Sequence, residues 1–281
     1  MYIKGDFHIH TTASDGHLTP KEVVELAKQN NLDIIAITDH DTTAGIEEAL
    51  KYGCDLGVKI IPGIELSTLH KGESVHILGY FKDNSFLNPE FQKFLLDMHE
   101  YRLFRAKKIV ENLERFFNIK ISYDRILEIS EGVIARPHIA SAIIEAGYPY
   151  SWVYIFDNII NSESPAYVPN KKISIEEGIA LLKSFNAVVV LAHPILIKNT
   201  TIEELLAYDF DGIEAIYYLN TPNQTDELVK KTLKHNKFVS AGSDFHGITT
   251  GDTKHGNISA VSLTGSNLER LLNELNIFKK N

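Results

Sequence analysis

Seven short runs of apolar and β-branched residues punctuate the chain: 4–10 (KGDFHIH), 33–40 (DIIAITDH), 59–66 (KIIPGIEL), 74–80 (SVHILGY), 187–194 (AVVVLAHP), 211–218 (DGIEAIYY) and 237–246 (KFVSAGSDFH). Their length and composition predict strands. Most are continuously apolar instead of alternating, as expected of strands covered on both faces in a parallel α/β sheet or barrel. Amphipathic stretches fall between most of them. LTPKEVVELAKQNN offers Thr19 as N-cap and Pro20 at the first helical position, and TTAGIEEALKYG closes on Gly53, read as its C-cap. ISIEEGIALLKSFN, TIEELLAYDF, TPNQTDELVKKTLKHN and GSNLERLLNELN continue the series. Alternating strand and helix predict an α/β protein, either a parallel barrel or an open doubly wound sheet.

From 88 to 164 that rhythm stops. A long helical pattern (PEFQKFLLDMHEYRLFRAKKIVENLERFF) is followed by shorter ones near SYDRILEIS, RPHIASAIIEAG and SWVYIFDNII. The expectation is a catalytic barrel domain built from 1–87 and 165–281, interrupted by a helical insertion domain over 88–164. Helices 90–117 would act as a capping lid.

Composition narrows the class. The 281 residues are 44% hydrophobic and 23% charged, as in a globular protein with a full core. A net charge of -9 disfavours affinity for long nucleic acid. It leaves room for a small anionic substrate, because a bound metal ion reverses the local field. Cys54 is the single cysteine, so no intrachain disulfide framework exists. No apolar run reaches membrane-spanning length, and MYIKGDFHIH lacks a signal-peptide pattern, so a cytoplasmic protein without membrane attachment is expected.

The twelve histidines change the picture most. His8 and His10 are two apart, so on a strand they share one face. That face is normally apolar core. Asp15 follows in a Ser-Asp-Gly turn; the second run ends in Asp39, His40 and Asp41; the third reaches Glu65; the fourth carries His76. The fifth ends in His193 and the seventh in Asp244 and His246. Each residue alone has an ordinary reading, as a core histidine, a turn residue or a helix cap. Together they place His, Asp or Glu near the end of six of the seven strands, where barrels and open α/β sheets build their sites. Imidazole with carboxylate suits Mn²⁺, Zn²⁺ or Fe²⁺. Nine candidates exceed the ligand demand of one ion, so two or three bridged metals are expected. Asp39 and Asp41 read equally as helix caps or as groups orienting His40 or a metal-bound water.

Arg136 and His138, in ARPHIA, open a predicted helix in the insertion. An arginine there opposes the helix dipole but suits a forked grip on phosphate; a surface ion pair is the alternative. Lys171 and Lys172 either add positive charge near a pocket or are a solvated pair. Tyr167 either stacks a base or packs in a core.

These residues resemble the PHP family, named for domains in polymerases and histidinol phosphatases. The matching motifs are HIH with Asp15, TDHD, GIE with Glu65, the histidine of SVHILGY, AHP and GSDFH, in the family's order. Further likeness in SDGHLTPKEVVELA, TDHDTTAGIEEA, IPGIELST, RPHIA and PAYVP points to a stand-alone branch acting on nucleoside 3′,5′-bisphosphates or the 5′ end of short RNA. The resemblance implies an irregular, TIM-like (β/α)7 barrel and three metals. His8, His10, Glu65 and Asp244 would hold the first; Glu65, His76 and His193 the second; Asp15, His40 and His246 the third. It implies a phosphoesterase in which a hydroxide bridging the metals attacks phosphorus. His193, Asp244 and Arg136 are the catalytic candidates, and Arg136, His138, Lys171 and Tyr167 the substrate-binding ones. Hydrolysis of histidinol phosphate or of a cyclic sugar phosphate is the alternative within the enzyme class. A metal-stabilised binding module without turnover is the alternative outside it. The sequence leaves the oligomeric state open.

Overall fold

All seven expected strands form. The computed structural model describes residues 2–130, 134, 136–169, 171, 173–248 and 255–277. The strands are β1 (Lys4–Asp6), β2 (Ile34–Ile37), β3 (Lys59–His70), β4 (Glu73–Phe81), β6 (Ala187–Leu191), β7 (Gly212–Tyr217) and β8 (Phe238–Gly242). Two short pairs, β5 (Ile173–Ser174) and β9 (Leu263–Thr264), were not expected. The sheet runs β8-β7-β6-β4-β3-β2-β1-β9, with β5 on β3. Its two sides meet again beyond β1, where Phe7 N donates to Ala241 O at 3.0 Å and Ile9 bridges Phe245 in parallel. The result is a mixed, nearly closed α/β barrel.

One departure from an all-parallel barrel has a local cause. β3 and β4 are antiparallel, and β4 is antiparallel to β6. The connection between β3 and β4 is only Lys71-Gly72, with φ of 47° and 81°. Two left-handed residues make the tight turn that suits a hairpin, and such a link is too short for a crossover helix.

The chain divides into two compact units, Met1–Gln92 with Lys172–Asn281, and Lys93–Lys171. In the first, α1 (Pro20–Gln29) starts as expected. Thr19 and Glu22 form a reciprocal capping box, with Glu22 N donating to Thr19 Oγ1 at 3.3 Å. Thr19→Ala should lower stability by about 1 kcal/mol, read as a fall in Tm of roughly 2–4 °C. An unchanged Tm would show that the cap contributes nothing.

Helix α2 (Ile46–Leu56) runs past Gly53 and ends at Gly57, whose φ is 70°. Gly53 is therefore not the C-cap. A Cβ there would lie 2.4 Å from Ile60 Cγ1, so this glycine permits close helix–strand packing instead. Phe7, Ile34, Leu78, Tyr80, Val190 and Phe238 belong to the buried core of this unit.

The second unit contains most of α3 (Pro89–Phe117), then α4 (Tyr123–Ser130), α5 (Arg136–Glu145) and the single turn α6 (Trp152–Tyr154). Its core includes Ile109, Leu113, Ile126, Ile139, Ile143 and Ile155. The first unit resumes with α7 (Ile175–Ser184), α8 (Ile202–Leu206), α9 (Pro222–Lys234) and α10 (Gly265–Glu274). Among the described residues, no helix is long and apolar enough to cross a membrane.

Candidate metal centre

The histidines sit just past the strands. β1 stops at Asp6, but the chain stays extended, with His10 N donating to Phe245 O at 2.9 Å. Phe7 and Ile9 alternate with His8 and His10, and all four are fully buried. His40 bridges Glu65 in parallel, and Asp41 N donates to Glu65 O at 2.9 Å, which joins the end of β2 to β3. His76 enters from the hairpin, opposite Ser67. His193 follows β6 with φ 25°, and Asp244 follows β8 with φ 53°. Non-glycine residues in this region cost of order 1–3 kcal/mol each, and such strain gathers where function demands it.

Glu65 is the centre of the arrangement. Its Oε1 faces His76 Nδ1 at 2.8 Å and His193 Nε2 at 2.9 Å. Its Oε2 faces His8 Nε2 at 3.2 Å, His10 Nε2 at 3.2 Å and His40 Nδ1 at 2.9 Å. Asp244 Oδ1 lies 3.3 Å from His8 Nε2 and 3.2 Å from His10 Nε2. Asp15 stands between His10, His40 and His246 at 3.6, 3.7 and 3.4 Å. The side chains of His8, His10 and Glu65 are 0% exposed, whereas His76 is 25% and Asp15 32% exposed. The cluster is therefore reached from the side of Asp15, His40 and His76.

Burial and charge oppose each other here. Burial lowers His8, but Glu214, Glu65 and Asp244 raise it well above the ordinary imidazole value. Burial likewise lowers His10, yet its contacts to Asp244 and Glu65 carry it up to about 10. Burial raises Glu65 and Asp244, and the surrounding imidazoles hold both well below the usual carboxylate range. Burial, together with neighbouring imidazoles, keeps His76 and His246 below the ordinary value, so these two favour the neutral form that ligates metals.

The residues fit divalent ions. Among the described residues, His8 Nε2, both ring nitrogens of His10, His40 Nδ1 and Glu65 Oε2 are buried without hydrogen-bond partners. Donors around one ion at about 2.1 Å are separated by roughly 3.0–3.4 Å. The contacts joining His8, His10, Glu65 and Asp244 fall in or near that range. Three sets of donor atoms lie close enough to share an ion: His8, His10, Glu65 and Asp244; His40, Glu65 and His76; and His10, Asp15, His40 and His246.

All nine sequence candidates thus converge, with a grouping that differs in detail. The second set takes His40 where the resemblance implies His193, although His193 still touches Glu65. The third adds His10. The helix-cap reading of the two aspartates is corrected. Asp39 accepts from Thr11 N at 2.7 Å, Thr11 Oγ1 at 2.8 Å and Ser14 Oγ at 2.6 Å, which pins the loop carrying Asp15. Asp41 accepts from Ser67 N at 2.7 Å.

Four participants were missed. Glu214 on β7 is fully buried and meets His8 Nδ1 at 3.0 Å. Its signal was a lone charge inside DGIEAIYY. Tyr217, three residues on, donates to Asp244 Oδ2 at 2.9 Å. Asp6, buried and pushed up to about 6, accepts from Ser243 N and Oγ at 3.0 and 2.6 Å. The ring of His255 stacks on His246 at 3.9 Å; nothing in its sequence context marks it.

The expected substrate contacts lie in the second unit. Arg136 begins α5, and its Nη1 donates to Ile160 O at 3.5 Å. Among the described residues it has no carboxylate partner. Tyr167 packs under the Arg105 guanidinium at 5.9 Å, His138 is half-buried and Lys171 is exposed. Lys172 lies outside the described residues.

The family profile described as PHP domain matches residues 6–147. The 5′-3′ exoribonuclease Rnm of Escherichia coli is 33% identical over 252 residues, covering 86% of this chain and 84% of that protein. The 3′,5′-nucleoside bisphosphate phosphatase of Chromobacterium violaceum is 29% identical, covering 86% of each. A crystal structure from Bifidobacterium adolescentis, described as a metal-dependent phosphoesterase, superposes with a TM-score of 0.76 at 30% identity over 96% of both chains.

Proposed function

The chain belongs to the PHP domain family, and on that premise we propose that it is a metal-dependent phosphoesterase acting on a nucleoside 3′,5′-bisphosphate or the 5′ end of a short RNA. The observation that carries this reading is the Glu65 carboxylate ringed by five imidazole nitrogens. His8, His10, Glu65 and Asp244 would hold one ion, and His40, Glu65 and His76, with His193 at the edge, a second. Asp15 and His246 would hold a third, because the one lone pair of a neutral His40 serves a single ion. Bound Mn²⁺, Zn²⁺ or Fe²⁺ would supply Lewis acidity towards phosphoryl oxygens and a source of hydroxide near neutral pH.

The chain's own groups set that centre in order. Tyr217 holds Asp244 by Oδ2 and leaves Oδ1 towards His8 and His10. Asp39 fixes the loop before Asp15. His246 Nδ1 donates to Asp244 O at 2.8 Å, so its Nε2 carries the lone pair. His193 is the candidate to return a proton to the leaving oxygen. Arg136, with His138, Tyr167 and Lys171, is assigned to a non-reacting phosphate or base. Arg136→Ala should raise KM about tenfold and change kcat less, because a charged hydrogen bond is worth about 1.5–3 kcal/mol. An unchanged KM in steady-state kinetics would remove Arg136 from substrate binding.

Metal uptake should release protons. In the metal-free protein His10, at about 10, is protonated near neutral pH, whereas a ligating imidazole must be neutral. Affinity should therefore rise with pH until His10 loses its proton. Calorimetry in two buffers of different ionisation enthalpy reads the count directly; uptake without proton release would contradict the assignment.

The function is tested by release of phosphate or nucleotide from adenosine 3′,5′-bisphosphate and from a short 5′-phosphorylated RNA. Mn²⁺-loaded protein is compared with a His8→Ala, His10→Ala variant, with histidinol phosphate and a cyclic ribose phosphate as further substrates. Turnover of either nucleotide substrate, lost in the variant, is expected. Turnover only of the other esters would move the substrate class. Bound metal with no hydrolysis at all would overturn the enzyme reading.

A further inference from the structure

Glu214 belongs to none of the three donor sets, yet it reaches two of the candidate ligands at once. It lies in β7, fully buried in a strand that is otherwise apolar or small along Gly212–Tyr217. Oε1 is 3.0 Å from His8 Nδ1. Oε2 accepts from the backbone N of His193 at 2.7 Å. That backbone is in the left-handed region, which a histidine does not favour. The space Oε1 occupies exists because residue 242 is glycine: a Cβ there would stand 2.1 Å from it.

We propose that Glu214 is a positioning residue that holds His8 as its Nδ1–H tautomer and clamps the backbone of His193, so that one carboxylate aims two imidazoles at Glu65. A carboxylate only accepts, so the His8 nitrogen facing it carries the proton. In the neutral ring that ligates a metal, the lone pair is then on Nε2, the atom 3.2 Å from Glu65 Oε2 and 3.3 Å from Asp244 Oδ1. Two lone-pair-bearing groups that close repel unless a cation or proton lies between them. Glu214 thus leaves Nε2, and not Nδ1, as the atom that meets a metal ion. Its second oxygen compensates the left-handed turn that brings His193 Nε2 within 2.9 Å of Glu65 Oε1. Carboxylates behind metal-ligating histidines fix ring orientation and tautomer in this way.

The inference rests on the metal-centre reading above, and the test separates the two. In Zn²⁺-loaded wild-type protein, the ¹⁵N spectrum of labelled histidines should show His8 protonated on Nδ1 and not on Nε2. The opposite tautomer would overturn the proposal without any variant. Glu214→Gln keeps the shape, but its amide oxygen accepts from only one donor and its NH₂ confronts the other. Mn²⁺ affinity measured by calorimetry should fall about 10–100-fold in this variant, with kcat reduced and KM little changed. Wild-type protein that takes up no Mn²⁺ would sink the metal-centre reading itself. Wild-type uptake with equal affinity and kcat in Glu214→Gln would sink only the role of Glu214.

Discussion

Replacing Glu65 by glutamine is expected to strip the bound metal and cut turnover by on the order of 10³-fold or more. Among the described residues, Glu65 is the one carboxylate that touches His8, His10, His40, His76 and His193. Glutamine keeps the volume and one acceptor but presents an NH₂ to a ring of imidazoles. It also removes the negative charge that offsets the cations. In the metal-free protein the same change leaves the buried imidazoles of His8 and His10 with only part of their compensating charge, at Asp244 and Glu214, at a cost of about 3–5 kcal/mol. Metal content by mass spectrometry and phosphate release, measured together, check it. Retention of full metal content and activity within tenfold of wild type would rule out Glu65 as the shared ligand.

Gly242→Ala should destabilise the fold by about 3 kcal/mol or more. The glycine sits at the end of β8, and the added Cβ would stand 2.1 Å from Glu214 Oε1 and 2.2 Å from His8 Cβ. Neither neighbour can swing away, because both are fully buried and bonded to each other. The backbone of β1 or β8 must therefore move, and His8 with it. The expected signature is a lower denaturant midpoint together with weakened metal binding. A normal midpoint would mean that the junction of β1 and β8 is looser than these distances require.

Much of this site was legible because its residues interrupt apolar runs. His8, His193 and Asp244 each stand just past a buried strand, Glu65 interrupts the apolar run of β3, and the barrel places them together. Glu214 follows the same rule inside DGIEAIYY and was passed over because it lies mid-strand. The antiparallel β4 was not legible: the expected runs stop at Leu66 and resume at Ser74, and only their extension to His70 and from Glu73 reduces the link to Lys71-Gly72, which a hairpin satisfies. Other features have no local signature. Tyr217 and Asp244 are 27 residues apart and meet only through strand register. Gly53 looked like a helix end because a glycine that permits close packing and one that adopts positive φ are the same letter. Asp39 resembled a cap because its true donors, Thr11 and Ser14, come from another strand's loop.

The most direct test is anomalous diffraction from crystals of the protein grown with Mn²⁺. At least two anomalous peaks are expected, one among His8, His10, Glu65 and Asp244 and one among His40, Glu65 and His76. Glu65 should bridge them, and a third peak is expected beside Asp15 and His246. A map without peaks in this cluster, with His8, His10 and Glu65 hydrogen-bonded directly to one another, would contradict it.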